Sequence, residues 1–389
     1  MEGRGPSLSI EQVARSKLAE LEASALRRVL LETEHTKAGQ TSRNGRQLLS
    51  FCCNDYLGLS QNPDVKRAAS EAIDKYGAGA GASRLVTGNH PLYNELETRL
   101  ARLKCTETSL VFGSGYLANL GIPPVLAGKG DLILADELSH ASMHAGIRAS
   151  DADARLFRHN YIDDCHQILV AERANYRHCL IMTEGVFSMD GDCAPLLGLC
   201  DLAEAFDAWL MTDDAHGLGI LGDGRGSAAE AGIAERIPLQ MGTLSKAVGS
   251  YGGFICAAKP VIDLLVNRAR SFVYATGLPP AAIAAANAAL EIIETDRELV
   301  RIPMERAKRF TSQLSLPNPQ STIVPLIAGT AEKALALSDL LESEGFLVTA
   351  IRPPTVPEGT ARLRFTFAAH HTETDIDRLV AALKRTGVL

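Results

Sequence analysis

Short apolar runs alternate with segments of helical length along most of the chain. The runs with strand character are SLVF near residue 110, DLILA near 133, ARLF near 156, HCLIMTE near 181, AWLMTDD near 211, PLQMGT near 240 and GGFICAA near 255. This alternation is typical of a mostly parallel sheet with helices packed on both faces. We therefore expect an α/β fold that binds its ligands beyond the carboxyl ends of the strands.

Two regions outside this pattern predict further elements. Apolar positions at helical spacing over residues 9–32 predict an amphipathic N-terminal helix, and the polar stretch EHTKAGQTSRNGRQ after it predicts a connector. The C-terminal part shows STIVPLIA, a helical pattern, FLVTAI, ARLRFTF and a final helix. The expected parts are an N-terminal helix and connector over 1–47, a large α/β domain over 48–285 and a smaller C-terminal α+β domain over 286–389.

Composition narrows the range of partners. The formal net charge is −7, and Lys and Arg are scattered along the chain, so we expect no nucleic acid or anionic lipid as a partner. No stretch reaches the ~18 apolar residues of a membrane span, and the start MEGRGPSLSIEQ lacks the apolar region of a signal peptide. The eight cysteines include no C-x-x-C pair, so we expect no metal. These features predict a cytoplasmic protein that does not bind membranes.

One glycine motif formally matches a dinucleotide-binding turn. Gly217-Leu-Gly219-Ile-Leu-Gly222 has the G-x-G-x-x-G spacing and follows a predicted strand. Such a turn must open a helix whose amide groups hold a pyrophosphate, whereas the residues DGRG prolong the loop here. We therefore do not expect a nicotinamide cofactor.

Polar residues stand at the ends of three of the predicted strands. After SLVF, Gly115 and Tyr116 begin a helical pattern where free amides could hold a phosphate, although an ordinary turn would look the same. After DLILAD, His140 could stack on a flat ring or could simply cap a helix. After HCLIMTE, Glu184 and Ser188 lie in a polar loop that turn chemistry explains equally well.

The next two strands end in ionisable groups. Asp213 ends the apolar strand AWLMTD, and His216 follows three residues later. A carboxylate at such depth is costly unless a cation pairs with it, and a metal pair is the competing interpretation, but no third ligand lies at metal-site spacing. After PLQMGT, Thr243 and Lys246 lie in a turn of small residues, where a lysine can be desolvated into a nucleophile or can remain a solvated loop residue.

Seven motifs carry a resemblance that covers essentially the whole chain. They are SFCCNDYLGLS at 50–60, GASRLVTGNHPLYNELE at 81–97, SHAS at 139–142, TEGVFSMDGDCAPL at 183–196, TDDAHGLGILG at 212–222, GTLSKAVGSYGG at 242–253 and TARLRFTFAAHH at 360–371. In this order and spacing the chain resembles the fold-type I pyridoxal 5′-phosphate enzymes, and within them the α-oxoamine synthases. The resemblance implies a pyridoxal phosphate cofactor, a mostly parallel sheet flanked by helices, a smaller C-terminal α+β domain and an N-terminal helical arm.

The resemblance also implies roles around the cofactor. Lys246 would hold it as a Schiff base and move the protons of the amino acid. Asp213 would pair with the pyridinium nitrogen and keep it protonated. His140 would stack on the ring, and His216 would hydrogen-bond its phenolic oxygen. The residues expected to hold the phosphate or the ring edge are Gly115, Tyr116, Ser188 and Thr243.

Substrate and subunit contacts follow from the same resemblance. Arg364, in the strand ARLRFTF, would clamp the carboxylate of the amino acid in a bidentate fork, although an ordinary surface strand residue would give the same pattern. Asn54 is a further candidate for substrate contact. A homodimer is implied, in which Thr276 would reach the phosphate bound by the partner subunit.

The segment IRPPTVPEGTARLR at 351–364 distinguishes among the reactions of the family. It resembles the branch that joins L-alanine to a pimeloyl thioester, pimeloyl-CoA or a pimeloyl-acyl-carrier protein, in biotin biosynthesis, whereas relatives usually carry Tyr-Pro in place of Arg352-Pro353. Arg27, expected in the N-terminal helix, and Thr355 are candidates for the far end of the acyl chain. A solvated helix face and a rigid turn are the alternative interpretations of these two residues.

Other functions stay open on sequence alone. Within the family they are 5-aminolevulinate synthase, the synthases of sphingoid bases and the 2-amino-3-oxobutyrate ligase. From another class comes a non-catalytic regulatory protein that binds pyridoxal phosphate. Such a protein would be expected to have lost some of the cofactor and substrate residues. The chain retains all four of them, Lys246, Asp213, His140 and Arg364. We therefore expect an acyltransferase.

Overall fold

The computed structural model describes residues 9–35 and 39–387. The strands in these ranges are β1 (Glu34–His35), β2 (Gln40–Arg43), β3 (Arg46–Ser50), β4 (Thr108–Phe112), β5 (Leu132–Asp136), β6 (Asp153–Phe157), β7 (Cys179–Glu184), β8 (Trp209–Asp213), β9 (Leu239–Thr243), β10 (Gly253–Ala257), β11 (Ile323–Gly329), β12 (Phe346–Leu347), β13 (Thr349–Ile351) and β14 (Ala361–Thr366).

Helices of four or more residues connect most of these strands. They are α1 (Ile10–Ala23), α2 (Pro63–Tyr76), α3 (Pro91–Leu103), α4 (Gly115–Gly121), α5 (Pro123–Leu126), α6 (Ala141–Ala149), α7 (Ile162–Glu172), α8 (Leu196–Ala205), α9 (Ser227–Glu230), α10 (Lys259–Arg268), α11 (Arg270–Val273), α12 (Pro280–Thr295), α13 (Arg297–Gln313), α14 (Ala331–Ser343) and α15 (Glu373–Arg385). Single helical turns lie at Leu59–Gln61, Arg84–Gly88, Arg173–Asn175 and Ala234–Arg236. Among the described residues, no helix has both the length and the apolar character that a membrane span requires.

The chain divides into two compact units. The larger consists of Cys53–Val324 and Thr366–Asp377, and the smaller consists of the described parts of Met1–Cys52, Pro325–Phe365 and Arg378–Leu389. This division differs from the boundary expected at residue 285, because α12 and α13 belong to the larger unit. The apolar face of α12 is buried in the core of that unit, and Arg297 of α13 forms an ion pair of 2.7 Å with Asp223.

The larger unit is built around a seven-stranded sheet. Its strand order is β4-β10-β9-β8-β7-β5-β6. The five strands from β9 to β6 are parallel, whereas β10 is antiparallel to both of its neighbours. The predicted α/β fold with a mostly parallel sheet is therefore confirmed.

Apolar side chains cover both faces of this sheet. Because successive residues of a strand point to opposite faces, Val111 packs in one layer with Leu290 of α12, and the adjacent Leu110 packs in another with Met143 of α6. All four side chains are buried, and burying each contributes about 1.5–3 kcal/mol. The sheet is thus fixed from both sides, which gives the turns at its ends a rigid base.

Parallel strands bring their polar ends together at one edge of the sheet. Glu184, the last residue of β7, is in register with Asp213, the last residue of β8, and Asp213 is in register with Met241 of β9. Strand β4 runs in the same direction as β9 because both are antiparallel to β10. The turn that begins α4 therefore lies at the same edge.

The smaller unit contains a hairpin where the sequence predicted a connector. Strands β2 and β3 pair around Asn44 and Gly45, whose φ values are 51° and 74°. Positive φ at both central residues is the requirement of a type I′ hairpin turn, which Asn-Gly satisfies. Strand β3 also pairs with β12 in parallel, and a second sheet has the order β11-β14-β13.

The N-terminal helix is shorter than predicted. It ends at Ala23, because Ala25 adopts a left-handed conformation with φ 54° and the Leu26 amide donates to the Leu21 carbonyl at 2.8 Å. This arrangement terminates a helix by satisfying its last carbonyls. The expectation that Arg27 lies in the helix is therefore wrong, since Arg27 lies in the extended segment that follows.

Candidate functional site

A cavity of about 190 Å³ lies at the carboxyl edge of the large sheet. Seven of its lining residues are those that the sequence singled out around a cofactor, Gly115, Tyr116, His140, Asp213, His216, Thr243 and Lys246. The others are Asn119, Ser142, Glu184, Ala215 and Met241. Four strand ends and the start of α4 thus contribute to a single site within the larger unit.

Lys246 lies in the turn after β9 and faces a histidine. Its Nζ is 2.8 Å from Nε2 of His216, and Nδ1 of the same ring is 2.6 Å from the Tyr56 hydroxyl. The Tyr56 hydroxyl is also 3.2 Å from Oδ1 of Asn54. The predicted substrate residue Asn54 is therefore linked to Lys246 through two intervening side chains.

Asp213 is held in place by two donors on different oxygens. The Asn119 side chain donates to Oδ2 at 2.6 Å, and the Ala215 amide donates to Oδ1 at 3.0 Å. Asn119 in turn donates to the Ser142 hydroxyl at 3.0 Å. These hydrogen bonds fix the orientation of the Asp213 carboxylate in the wall of the cavity.

Glu184 is a second carboxyl group in the same cavity. Burial raises its pKa well above the ordinary value, and the nearby charge of Asp213 adds to this effect, while Lys246 and the backbone amides of His140 and Ser188 oppose it. Its Oε1 is buried and has no hydrogen-bond partner among the described residues. Burial and the neighbouring Asp213 charge thus both favour the neutral, protonated form of the Glu184 side chain.

His140 caps helix α6 from the end of β5. Its Nδ1 accepts a hydrogen bond from the Ser142 amide at 3.2 Å and lies 2.6 Å from the Ser142 hydroxyl. Burial lowers the pKa of the His140 ring, and the charge of Asp213 opposes this shift. These contacts fix the orientation of the ring at the cavity and favour the neutral imidazole, which can stack on a flat heteroaromatic group.

The opposite end of the cavity is lined by backbone. Helix α4 begins at Gly115, and the Ser114 hydroxyl accepts from the Leu117 amide at 3.2 Å, which leaves the first amides of the helix directed outward. Gly253 lies against this turn so closely that a Cβ there would stand 2.4 Å from the Gly115 nitrogen. The buried hydroxyl of Thr243, which donates to the Gly252 carbonyl at 2.7 Å, completes this end. Amides and a hydroxyl in this arrangement can hold an anionic group such as a phosphate.

Two cofactor candidates lie outside the set that lines the cavity. Ser188 belongs to the loop after β7, where its backbone amide donates a hydrogen bond to the Glu184 carboxyl group. Thr276 is exposed and pairs with Ser83 in an isolated bridge. Its position outside the cavity of its own chain is compatible with the expected contact to a partner subunit, which stays a prediction.

The remaining substrate candidates lie in the smaller unit. Arg364 is buried on β14, in register with Thr349 of β13. Arg27 forms an ion pair with Glu22, whereas it is Arg28 whose Nη2 lies 3.3 Å from the Thr355 hydroxyl. Their roles toward a substrate stay predictions.

Three residues of the cavity network were not identified as site residues from sequence. Tyr56 belongs to the quoted motif SFCCNDYLGLS, but nothing in the sequence connects it with His216. Asn119 had a signal, since it is a polar residue in the otherwise apolar helix LANLG. Glu184 was noted in its loop but was equally well explained by turn chemistry. In the described ranges, no group of three or more His, Cys, Asp or Glu side chains could hold a metal ion.

Known proteins with similar sequences share nearly the full length of the chain. The family of aminotransferases of class I and II matches residues 46–383. The 8-amino-7-oxononanoate synthase of Methylocella silvestris is 60% identical over 342 residues, which cover 88% of this chain and 97% of the relative. The enzyme of the same name from Beijerinckia indica is 56% identical over 368 residues, which cover 95% of each chain.

Solved structures with the same fold include two related enzymes. The serine palmitoyltransferase from S. paucimobilis with bound PLP-myriocin aldimine has a TM-score of 0.91 and 29% identity, over 97% of this chain and 98% of that chain. The 8-amino-7-oxononanoate synthase from Francisella tularensis has a TM-score of 0.75 and 27% identity, over 87% of this chain and 98% of that chain. These similarities confirm the expected fold of a fold-type I transferase.

Proposed function

The chain belongs to the 8-amino-7-oxononanoate synthase family, within the aminotransferases of class I and II, and from this premise we propose that it joins L-alanine to a pimeloyl thioester. The products are 8-amino-7-oxononanoate, carbon dioxide and the free thiol, in biotin biosynthesis. The observation that carries the proposal is the cavity in which Lys246, Asp213 and His140 meet, in a chain more than half identical to enzymes of that name.

The cofactor is pyridoxal 5′-phosphate, which when bound supplies an electron sink for the carbanion formed at the α-carbon of the amino acid. The cavity fits this group in three respects. Asp213 offers a fixed carboxylate to a ring nitrogen, His140 offers a neutral ring for stacking, and the start of α4 offers amides to a phosphate. The buried Oε1 of Glu184 is a further polar atom toward which a polar ligand group can turn.

Each of these side chains has a task in the reaction. Lys246 would hold the cofactor covalently. Once the amino acid has displaced the lysine, Lys246 would remove the α-proton of alanine and later return a proton to the product. Asp213 would keep the ring nitrogen protonated, which a neutral side chain at the same place could not do. Asp213 and Glu184 are both buried, so little water competes for their carboxyl groups.

Four residues are the candidates for substrate contact, Asn54, Arg364, Arg27 and Thr355. Arg364 would hold the carboxylate of alanine, for which a guanidinium is well suited because it can donate two parallel hydrogen bonds. Asn54 is a further candidate for substrate contact. Arg27 and Thr355 would contact the distal end of the pimeloyl chain. The acyl donor is a thioester of coenzyme A or of a carrier protein, and both present the same reacting carbonyl.

We further propose a homodimer, in which Thr276 contacts the phosphate bound by the partner subunit. Exposed aromatic side chains on the larger unit support an interface, since Tyr251 is 55% and Tyr274 is 73% exposed. Large exposed apolar groups of this kind are enriched where proteins associate. The cytoplasmic location expected from the sequence stays a prediction.

A matrix of substrates tests the proposed function. The purified, cofactor-loaded enzyme would be assayed for thiol release with alanine, glycine and serine, each against pimeloyl, succinyl, acetyl and palmitoyl thioesters. The highest kcat/KM should belong to alanine with pimeloyl thioester. A higher value for glycine with succinyl thioester would assign the chain to 5-aminolevulinate synthesis, and a higher value for serine with palmitoyl thioester would assign it to sphingoid-base synthesis.

A further inference from the structure

His216 lies between a phenol and an amine in the wall of the cavity. Its Nδ1 is 2.6 Å from the Tyr56 hydroxyl, and its Nε2 is 2.8 Å from Nζ of Lys246. The same hydroxyl is 3.2 Å from Oδ1 of Asn54. Four side chains thus form a continuous line of hydrogen bonds that ends at the lysine.

The number of protons in this line restricts what each nitrogen of the histidine can do. A neutral imidazole carries one N–H, and a phenol carries one O–H. If Tyr56 donates to Asn54, it accepts from Nδ1 of His216, and Nε2 is left as an acceptor facing Lys246. If Tyr56 instead donates to Nδ1, the imidazole proton lies on Nε2, which then donates. The group to which the Tyr56 hydroxyl donates therefore decides whether Nε2 of His216 donates or accepts a hydrogen bond.

The position of Tyr56 is rigid enough to impose this choice. Its ring is fully buried in the apolar cluster of the larger unit. Its carbonyl accepts from the Ala369 amide at 2.7 Å, and its own amide donates to the Asn54 carbonyl at 2.9 Å. The hydroxyl cannot leave Nδ1 without breaking buried contacts, so the histidine adapts to it.

We propose that Tyr56 is a positioning residue that sets the tautomer of His216, and so decides whether the nitrogen facing Lys246 donates or accepts a hydrogen bond. The inference rests on the proposed function, because the phenolic oxygen of the cofactor is the group that Nε2 would address. That oxygen is an acceptor, so the loaded enzyme requires Tyr56 to donate to Nδ1 and Nε2 to carry the proton. Asn54 must then present its amide N–H₂ to Tyr56, which a turn of the side-chain amide achieves.

The consequence can be read in the loaded enzyme without substrate. A donor at the phenolic oxygen neutralises part of its negative charge, and that charge otherwise stabilises the protonated linkage between Lys246 and the cofactor. Loss of the donor should therefore raise the pKa of the linkage and weaken cofactor binding. The charge of Lys246 also acts on His140 and Glu184, and the charge of Asp213 acts on the same two groups, so the test must leave these three side chains unchanged.

Two substitutions remove the donor by different routes. Tyr56→Phe deletes the hydroxyl. Asn54→Asp keeps the size of the side chain but offers only acceptor oxygens, which draw the phenol proton away from His216. Tyr176→Phe is the matched control, because its hydroxyl donates to Asp153 at 2.9 Å and does not line the cavity. The readouts are the cofactor dissociation constant and the pH titration of the visible absorption of the loaded enzyme.

Both Tyr56→Phe and Asn54→Asp should weaken cofactor binding about 10- to 100-fold, the same range as the loss of a residue that orients a metal-ligating histidine. Both should move the titration to higher pH. Tyr176→Phe should match the unsubstituted chain. If Tyr56→Phe does not fold, as judged by circular dichroism, Asn54→Asp decides alone. An unchanged titration and affinity in the variants that fold would overturn the inference while leaving the proposed function intact. Failure of the unsubstituted chain to bind the cofactor through Lys246 would overturn both.

Discussion

The Lys104 ammonium lies 2.6 Å from Oδ2 of Asp214, and each of the two side chains is only 1% exposed. The same ammonium donates to the Arg225 carbonyl at 2.8 Å. Asp214 also accepts from the amide and the hydroxyl of Ser227, at 3.1 and 2.7 Å. This buried network closes the loop after β8, on which His216 lies beside Asp213.

We expect Lys104→Met to lower the free energy of unfolding by about 3–5 kcal/mol, because it leaves Asp214 buried without its cationic partner. The measurement is denaturant unfolding of the cofactor-free protein. Lys259→Met is the matched control, since Lys259 pairs with Asp263 on an exposed helix face, with 62% and 58% of the side chains exposed. The control should cost less than about 1 kcal/mol. Similar losses in both variants would contradict a special role for the buried pair.

The strands of the large sheet could be predicted because each is an apolar run that ends in polar residues. Asp213 is an example. A carboxylate at the end of a buried strand is costly unless it is paired, so the sequence alone indicated that Asp213 has a function. The hairpin of β2 and β3 was missed because its strands are largely polar, although Asn44-Gly45 is a strong turn signal. An apolar pattern identifies apolar buried strands and is silent on polar ones.

The contacts within the cavity could be predicted only where a motif implied them. Tyr56 and His216 are 160 residues apart in sequence, and no local pattern records that the fold brings them together. The same limit explains Arg28, which contacts Thr355 while its neighbour Arg27 pairs with Glu22. Adjacent arginines in an extended segment point in different directions, and the sequence does not say which of them turns inward.

His159 connects two carboxylates, and its pKa should make stability depend on pH. Burial opposes protonation of the ring, but hydrogen bonds to Asp136 and Asp192, at 3.0 and 2.8 Å, together with their charges, raise the pKa from 6.5 to about 10. The ion contacts therefore contribute fully below pH 6.5, the unfolded value, and are lost as the pH rises through about 10.

His159→Gln should accordingly lose most stability near neutral and lower pH, and the difference from the unsubstituted chain should shrink toward pH 10. Denaturant unfolding at several pH values measures this difference. His178→Gln provides the control, since the His178 ring stacks on Trp209 with centroids 5.1 Å apart. A difference for His159→Gln that is constant with pH would show that the charge of the ring does not contribute.

Glu184→Gln should stabilise the cofactor-free protein at neutral pH. Burial raises the pKa of Glu184, so the folded chain keeps a proton that the unfolded chain releases above its ordinary value of 4.5, and folding becomes less favourable as the pH rises. Glutamine mimics the neutral acid without this cost. The gain in the free energy of unfolding should therefore grow as the pH rises above 4.5, the ordinary pKa of the group.

Glu204→Gln is the control for the Glu184 variant and should behave in the opposite way. The hydrogen bond from Arg236 lowers the pKa of Glu204, so the charged form is favoured in the folded state and its loss destabilises the protein above pH 4.5. Stabilisation by both variants, or by neither, would refute the assignment of a neutral acid to Glu184.

Asp213→Asn should lower kcat by about 10²–10³, because a neutral amide no longer keeps the ring nitrogen of the cofactor protonated. Binding of the cofactor should persist, since the amides at the start of α4 remain in place. Lys246→Ala should abolish turnover and leave the cofactor bound without a covalent link, which mass spectrometry after borohydride reduction detects. Asp201→Asn, on an exposed ion pair with Arg236, is the control. A near-normal kcat for Asp213→Asn, or an adduct on a lysine other than Lys246, would contradict the assigned roles.

The choice of acyl donor should depend on Arg27. Its ion pair with Glu22 joins two partly exposed side chains, and such a pair is worth only about 0–1 kcal/mol, so the guanidinium can leave it for the carboxylate or ester at the end of a pimeloyl chain. A hydrogen bond to a charged group is worth about 1.5–3 kcal/mol, which corresponds to a loss of about 10- to 100-fold in kcat/KM for Arg27→Ala with pimeloyl thioester. With acetyl thioester, which lacks the distal group, the same substitution should change kcat/KM by less than about twofold.

Two companion variants separate this role from a structural one. Glu22→Gln removes the partner of Arg27 without removing Arg27, so pimeloyl turnover should be retained or improved. Arg28→Ala deletes the guanidinium that lies 3.3 Å from the Thr355 hydroxyl, so it should reduce selectivity for the pimeloyl donor if Thr355 also contacts the acyl chain. Because remote contacts can position the reacting carbonyl as well as bind the chain, losses in kcat are expected beside those in KM. Equal losses with pimeloyl and acetyl donors for Arg27→Ala would show that Arg27 serves only to hold its own segment in place.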